Sequence, residues 1–260
     1  MKEVSKKRGQ VTVFIIIGIV IVVLGALVYA FFPQIKEIIG LESENPNMFM
    51  QSCIEEEIQN TIEELSLQGG SLNPEHYILY ENSTVEYLCY TEEYYKTCVM
   101  QQPLLVRHVG DEIAKGISPE AQACFDDLKE SYEKKGYDVQ LTTGETDVEL
   151  LPNKVVVVFN RSLVLTKENS DKYENFRVVV NNNIYELLSI ANSILSWETR
   201  YGDAETTIYM DYYHDLKVEK KKQMDGSTVY ILTNRNEGTK FMFASRSIAW
   251  PPGYGIGNTL

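Results

Sequence analysis

Residues 11–32 read VTVFIIIGIVIVVLGALVYAFF, a run of 22 residues without a charged side chain. A helix of this length spans roughly 33 Å, which is enough to cross a hydrocarbon core of about 30 Å. A soluble strand does not run this long, and in lipid a helix satisfies its own backbone hydrogen bonds. The sequence therefore predicts a transmembrane helix over residues 11–32, with the lipid bilayer as a partner.

The charge changes sign across this run. The formal net charge of the chain is −13, but the first ten residues are basic, with Lys2, Lys6, Lys7 and Arg8 against Glu3. By the positive-inside rule, residues 1–10 stay in the cytoplasm and the chain from about residue 33 lies outside. We therefore expect a single-pass protein of the cell membrane with an extracytoplasmic C-terminal domain. Its acidity argues against binding nucleic acid, because phosphates are held mainly by Lys and Arg.

A cleaved secretory signal is the alternative interpretation of the same run. Val28-Tyr29-Ala30 has the small residues that a signal peptidase accepts, and cleavage after Ala30 would leave Phe31 as the first residue. The apolar run is longer than the 7 to 15 residues or so that are usual for a signal peptide, which favours the anchor. Either interpretation exports the domain.

Four cysteines follow the apolar run and predict two disulfides. An even count in an oxidising compartment favours pairing, and four cysteines allow three pairings. We favour Cys89 with Cys98, which closes a short tyrosine-rich loop, and Cys53 with Cys124, which ties two helices. Four free, buried thiols are the alternative.

The first part of the exported domain has helical periodicity. Asn45-Pro46 is typical of a helix start, Gly69-Gly70 ends an amphipathic helix of about 20 residues, and Pro103 and Ser118-Pro119 open two more that end near Gly116 and Gly136. Between the first two helices, residues 71–98 predict a loop with one or two short strands. We therefore expect a helical and tyrosine-rich subdomain over residues 33–136.

The period then changes from 3.6 to 2. Strands are predicted over residues 139–151, 154–166, 176–180, 216–223, 228–233 and 240–248, with a polar run at 167–172 and a hairpin turn at Asp225-Gly226. One helix interrupts them, with apolar residues from Ile184 to Leu195 at helical spacing. We predict an α+β fold in which residues 137–250 form a β-rich, mainly antiparallel subdomain with one packed helix, and residues 251–260 form a flexible tail.

The sequence has no signature of catalysis. A phosphate loop, HExxH, GxSxG and a dinucleotide fingerprint are all absent. His214 stands beside Asp215, but neighbours in a strand point to opposite faces, so the two would not face each other. There is no CxxC motif, and none of the three histidines has a histidine or cysteine at i+3 or i+4. We expect no enzyme activity, no metal and no cofactor.

Tyrosines dominate the segment between the first two helices. Tyrosine buries a large area at low entropy cost and keeps a polar tip, which suits a binding surface, although local packing is the alternative. We select Tyr90, Tyr94 and Tyr95 as candidate interaction residues. Nearby acidic residues would direct this surface toward a basic or glycan-bearing partner; they are Glu81, Glu86, Glu92 and Glu93. Two sequons, at Asn82 and Asn160, are candidate glycosylation sites.

The N-terminal run from Lys6 to Phe14, KKRGQVTVF, resembles the class III signal peptides of archaeal type IV pilins and archaellins. The resemblance implies cleavage after Gly9, with Gln10 as the new N-terminus and assembly into a filament. Phe14 differs from the family pattern, because many pilins carry a glutamate five residues into the mature chain. Gly18 and Gly25 could line a contact between such helices, which implies self-association through the membrane segment.

A larger part of the chain resembles uncharacterised archaeal membrane-anchored surface proteins. The shared features are the RGQVT anchor at residues 8–12, Cys53 on the following helix, the Leu67-Gln68-Gly69-Gly70 turn and Cys124 before a β-rich region. Three functions follow as hypotheses. The first is a membrane-anchored surface protein whose acidic ectodomain binds an unknown protein or glycan; the alternatives are a pilin-like filament subunit and an ectoenzyme.

Overall fold

The computed structural model describes residues 45–249. The predicted membrane span at 11–32, the processing site at Gly9 and Gln10, and the predicted tail at 251–260 lie outside these residues. Within 45–249, no helix combines the length and the apolarity that crossing a membrane requires. The helices are α1 (Pro46–Ser66), α2 (Leu105–Gly116), α3 (Ser118–Lys134), α4 (Ile184–Tyr201) and α5 (Thr207–Tyr212).

Helix α1 has the bounds that the sequence indicates. Proline suits its first turn, because it has no N–H to leave unpaired and its φ is already helical. One face is buried, through Ile54, Ile58, Ile62 and Leu65. The chain then turns at Gly69, whose φ is +86° and whose position would bring an added Cβ within 2.6 Å of Glu86 Cβ. Glycine is needed here both for the left-handed backbone and for the close approach.

Helices α2 and α3 are separated by Ile117 and pack against α1. Their buried faces repeat at helical spacing, with Leu105, Val109 and Ile113 in α2 and Ala121, Cys124, Phe125 and Leu128 in α3. A disulfide joins Cys53 of α1 to Cys124 of α3, with the two Cα atoms 6.0 Å apart. A second joins Cys89 to Cys98. This is the pairing that the sequence favours.

The strands form two sheets. The strands are β1 (Tyr77–Tyr80), β2 (Ser83–Tyr90), β3 (Val99–Met100), β4 (Asp138–Leu141), β5 (Thr146–Leu151), β6 (Lys154–Thr166), β7 (Ser170–Asn181), β8 (Leu216–Lys222), β9 (Ser227–Asn234) and β10 (Lys240–Arg246). The first sheet has the order β1-β2-β10-β9-β8, and β3 pairs with the end of β2. Its β2 and β10 are parallel and its other pairs are antiparallel.

The second sheet is built around the long strand β6 and is antiparallel throughout. On one side, β5 pairs with the first half of β6 and β4 with the second half, while β7 runs along the other side. The register of β6 with β7 shifts between Phe159 and Ser162. The outer edge of β7 is bound by α1, because the Gln51 amide donates to Val179 O at 3.0 Å and accepts from Val179 N at 3.0 Å.

Helices lie between the two sheets. Helix α1 contacts β7 of one sheet and β10 of the other, and α4 contacts β2, β9 and β10 as well as β5. One apolar core therefore extends from Met50 to Phe243. The helical part and the β-rich part share this core, and the described residues from Pro46 to 249 belong to one compact unit. Since the core continues through residue 137, the subdomain boundary that we expected there does not divide it. The fold is α+β with mainly antiparallel sheets.

Three segments differ from their predictions. Strand β2 is eight residues long and lies inside a sheet, where we expected a loop with short strands. The segment predicted as one strand over 139–151 is two, β4 and β5, interrupted at 142–145. The second half of the polar run at 167–172 is strand, since β7 starts at Ser170. In the last case, pairing with β6 extends the strand into a polar segment.

Candidate interaction surface

The Cys89–Cys98 disulfide closes a loop that leaves β2 and returns into β3. Cys89 lies near the end of β2, and its partner precedes β3, which pairs with it through Met100. We call residues 91–98 the disulfide loop. It contains Tyr94 and Tyr95, two of the three residues that the sequence analysis selected.

Hydrogen bonds along its length fix the backbone of the disulfide loop. Thr91 N donates to Arg246 O at 3.0 Å, and Tyr95 N donates to Ile248 O at 2.7 Å. Ile248 N returns a bond to Lys96 O at 3.1 Å. In addition, Cys98 N donates to Ser247 Oγ at 3.2 Å. The disulfide loop therefore continues the sheet beyond the end of β10, and its backbone is held at both ends and in the middle.

The three selected tyrosines lie in two different environments. Tyr94 and Tyr95 are 68% and 78% exposed. Tyr90 is half-buried, and its ring centroid lies 4.1 Å from that of His76 and 5.0 Å from that of Tyr87. The Arg246 guanidinium lies 5.6 Å from the centroid of Tyr90 on the same side of the sheet. Tyr90 is therefore a packing residue, and of the three selected tyrosines only Tyr94 and Tyr95 present exposed aromatic area.

The acidic residues near this surface also separate. Glu92 and Glu93 are exposed on the disulfide loop, where Glu93 pairs with Lys96 at 2.5 Å. Glu81 lies in the turn between β1 and β2, with a φ of +47°. Glu86 is only 8% exposed and faces the core. From the sequence we expected Glu86 to be one of the surface acids, and the structure corrects this, because β2 is buried on both faces from Val85 to Cys89.

Glu86 belongs to a buried polar cluster that the sequence analysis did not foresee. Ser71 Oγ donates to Glu86 Oε2 at 2.5 Å, and it lies 2.8 Å from His108 Nε2. Burial raises the pKa of the Glu86 carboxyl, an effect that the Ser71 hydrogen bond and nearby His108 partly offset. Next to this cluster, Glu112 Oε2 accepts a hydrogen bond from Leu72 N at 3.1 Å.

The order of the contacts in this cluster differs from that of a nucleophilic triad. In a triad, the histidine lies between the hydroxyl and the carboxylate and removes the proton from the hydroxyl. Here the Ser71 hydroxyl lies between Glu86 and His108, and its proton is donated to the carboxylate. Ser71 is 6% exposed. The cluster joins the turn after α1 to β2 and α2, and the paired glycines before Ser71 are the one sequence signal that marks its position.

The other residues singled out from the sequence lie apart from the disulfide loop. Asn82 lies in the exposed turn before β2. Asn160 is exposed on β6, where its amide donates to Asp147 Oδ2 at 2.6 Å. His214 and Asp215 lie in the turn before β8 rather than in a strand, and both line one cavity.

No protein-family model, curated protein or solved structure matches this chain. Function is therefore argued from the geometry of the disulfide loop and from the sequence patterns.

Proposed function

We propose that this chain is a single-pass, membrane-anchored cell-surface protein whose acidic ectodomain binds a protein or glycan through Tyr94 and Tyr95. The observation that carries the proposal is the presentation of two largely exposed tyrosine rings on a backbone that a disulfide and several hydrogen bonds hold in place. Exposed aromatic side chains on an ordered loop are typical of binding surfaces.

The ordered backbone favours binding because association costs conformational entropy. A partner that meets a mobile loop must order both the backbone and the side chains, whereas here the backbone of residues 91–98 is already fixed. Each tyrosine then loses the freedom of only two side-chain torsions. Tyr94 and Tyr95 can therefore contribute most of their contact energy to affinity.

The charge of the surface restricts the charge of the partners that can bind to it. Glu92 and Glu93 are exposed beside the two tyrosines, and the chain as a whole carries −13. Acidic rim residues steer a basic partner toward the surface and repel an acidic one, and salt screens this effect over about 8 Å at physiological ionic strength. Association should therefore weaken as salt rises, with the change mainly in the association rate.

Binding of the full-length chain to whole cells tests the tyrosine surface. The labelled protein is incubated with cells of its source organism, and bound fluorescence is measured by flow cytometry. Tyr94→Ser with Tyr95→Ser should lower the bound signal about tenfold or more, as the loss of two interface aromatics does. The matched control is Leu79→Ser with Met224→Ser, which removes two other exposed apolar side chains and should leave binding unchanged. Equal binding by all three proteins would contradict the proposal.

The anchor is tested at the N-terminus of the native protein. Mass spectrometry should find a chain that starts at Met1, since residues 11–32 are proposed to remain as the membrane span. A start at Gln10 would support the pilin-like alternative, and a start at Phe31 would support a secreted domain. Protease added to intact cells should also remove the mass beyond about residue 33 and leave a short membrane fragment.

A further inference from the structure

A cavity of about 650 Å³ lies between α4, α5 and the beginning of β8. Its volume falls within the range of roughly 300–1,000 Å³ that is usual for small-molecule sites. The walls combine aromatic rings with polar side chains, among them Tyr185, Glu186, Tyr212, Tyr213, His214 and Asp215. The cavity is separate in sequence from the disulfide loop, and the surface proposed for Tyr94 and Tyr95 does not use its residues.

Two tyrosines at the rim present apolar rings to a ligand. Tyr212 and Tyr213 are 80% and 51% exposed, their ring centroids are 5.0 Å apart, and their planes meet at 71°. The short helix α5, which ends at Tyr212, is fixed to α4, because the Tyr209 hydroxyl lies 2.7 Å from Ser193 Oγ. Tyr213 N donates in turn to Tyr209 O at 2.8 Å. The backbone that carries the two rings is therefore anchored.

The wall opposite carries an acceptor that the fold does not satisfy. Glu186 Oε1 accepts a hydrogen bond from Asn153 N at 2.9 Å. Its other oxygen, Oε2, is buried and has no hydrogen-bond partner among residues 45–249. A buried acceptor without a partner costs free energy. Because Glu186 lines the cavity, a movement of its side chain that presents this oxygen to a donor in the cavity would be favoured. Asp215 adds a second carboxylate to the lining.

We infer that this cavity binds a neutral saccharide. A sugar ring has a face of C–H groups that can pack on a tyrosine ring, and hydroxyls around its edge that can donate to carboxylates. A purely apolar ligand would supply no hydrogen-bond donor to the carboxylates of Glu186 and Asp215. An anionic ligand would be repelled by the same two carboxylates.

Ligand-observed saturation-transfer NMR on the full-length chain tests the inference. The probes are maltotriose, mannotriose and chitotriose, each at millimolar concentration. At least one should receive saturation, strongest at the C–H protons of a ring face. Tyr212→Ser with Tyr213→Ser should weaken its binding roughly tenfold, which is the effect of losing two aromatic contacts. Glu186→Gln should also weaken binding, whereas Leu79→Ser with Met224→Ser should not.

Three results would overturn the saccharide site. These are no saturation of any of the three probes, saturation that persists unchanged in the Tyr212→Ser, Tyr213→Ser variant, and a wild-type dimer in analytical ultracentrifugation that the same substitutions dissociate. The last result would assign the aromatic face to contact between copies of the chain. Loss of cell binding on substitution of Tyr94 and Tyr95 would be unaffected by any of these outcomes, so the two proposals fail separately.

Discussion

The two disulfides of this protein both reach the apolar core, but they close chain segments of very different length. Cys53–Cys124 joins α1 to α3 within the core, across a sequence separation of 71 residues. Cys89–Cys98 spans a separation of 9 residues and closes the loop that carries Tyr94 and Tyr95. The first restricts a long stretch of the unfolded chain, whereas the second mainly fixes the shape of a surface. We therefore expect the first link to support stability and the second to support the proposed binding surface.

Removal of the long-range link should have the largest effect on stability. Cys53→Ala with Cys124→Ala should lower the free energy of unfolding by about 4 kcal/mol, from the loop-closure entropy of a 71-residue separation. Urea unfolding of the variant and the wild type measures the difference. A loss below about 1 kcal/mol would show that α1 and α3 are held together by packing alone.

Removal of the short-range link should cost less stability. The same entropy argument gives about 2.5 kcal/mol for Cys89→Ala with Cys98→Ala, because its loop is short. Hydrogen exchange should become faster at the amides of Thr91, Tyr95 and Ile248, which bond across the disulfide loop. If those amides stay as protected as in the wild type, the loop is ordered by its hydrogen bonds and not by the disulfide.

Tyr90 should contribute more to stability than Tyr94 and Tyr95 do. Tyr90→Ser removes ring contacts with His76, Tyr87 and Arg246, and should cost about 1–2 kcal/mol. Tyr94→Ser with Tyr95→Ser should change the unfolding free energy by no more than about 0.5 kcal/mol, because both rings are exposed. Thermal unfolding of the two variants compares them. Equal destabilisation would mean that all three tyrosines are packing residues.

A smaller, pH-dependent effect on stability should come from Glu198, which lies near the Cys89–Cys98 disulfide. Glu198 on α4 is 2% exposed and accepts hydrogen bonds from the Tyr230 hydroxyl and from Ser245. Ser245 Oγ lies 3.5 Å from Cys98 Sγ. Burial raises the pKa of the Glu198 carboxyl, so folding favours its protonated form.

Stability should therefore fall as the pH rises above about 4.5, through the raised pKa of Glu198. The slope from this one proton is at most about 1.4 kcal/mol per pH unit. Glu198→Gln should make this fall in stability less steep. Glu86, whose pKa is also raised, should contribute equally to the slope in both proteins. Urea unfolding of the wild type and the variant, at pH values from 4 to 8 in steps of about one unit, measures the difference in slope. Parallel curves would contradict the assignment.

The sequence predicts the helices well because their apolar residues repeat on one face. Ile54, Ile58 and Ile62 mark α1, and the stripe from Ile184 to Leu195 marks α4, whatever the sheets do around them. Strand β2 cannot be recognised from the periodicity of its apolar residues. Its residues from Val85 to Cys89 are all buried, so the alternation that identifies a half-exposed strand is missing.

The candidate sites depend on contacts that no local pattern encodes. Tyr90 and Tyr94 are the same residue type four positions apart, and they differ because one ends β2 while the other follows it in the loop. Ser71, Glu86 and His108 meet only after α1, β2 and α2 have packed. The cavity beside α4 likewise requires the short helix α5, which had no clear apolar period to reveal it.

Cell binding by the two disulfide variants tests the division of roles most directly. Both are measured by flow cytometry as full-length proteins, at a temperature at which circular dichroism shows them folded. Cys89→Ala with Cys98→Ala should bind about tenfold less than the wild type, because the backbone under Tyr94 and Tyr95 must then be ordered on binding. Cys53→Ala with Cys124→Ala should bind as the wild type does. Full binding by the first variant, or loss of binding by the second alone, would contradict the account.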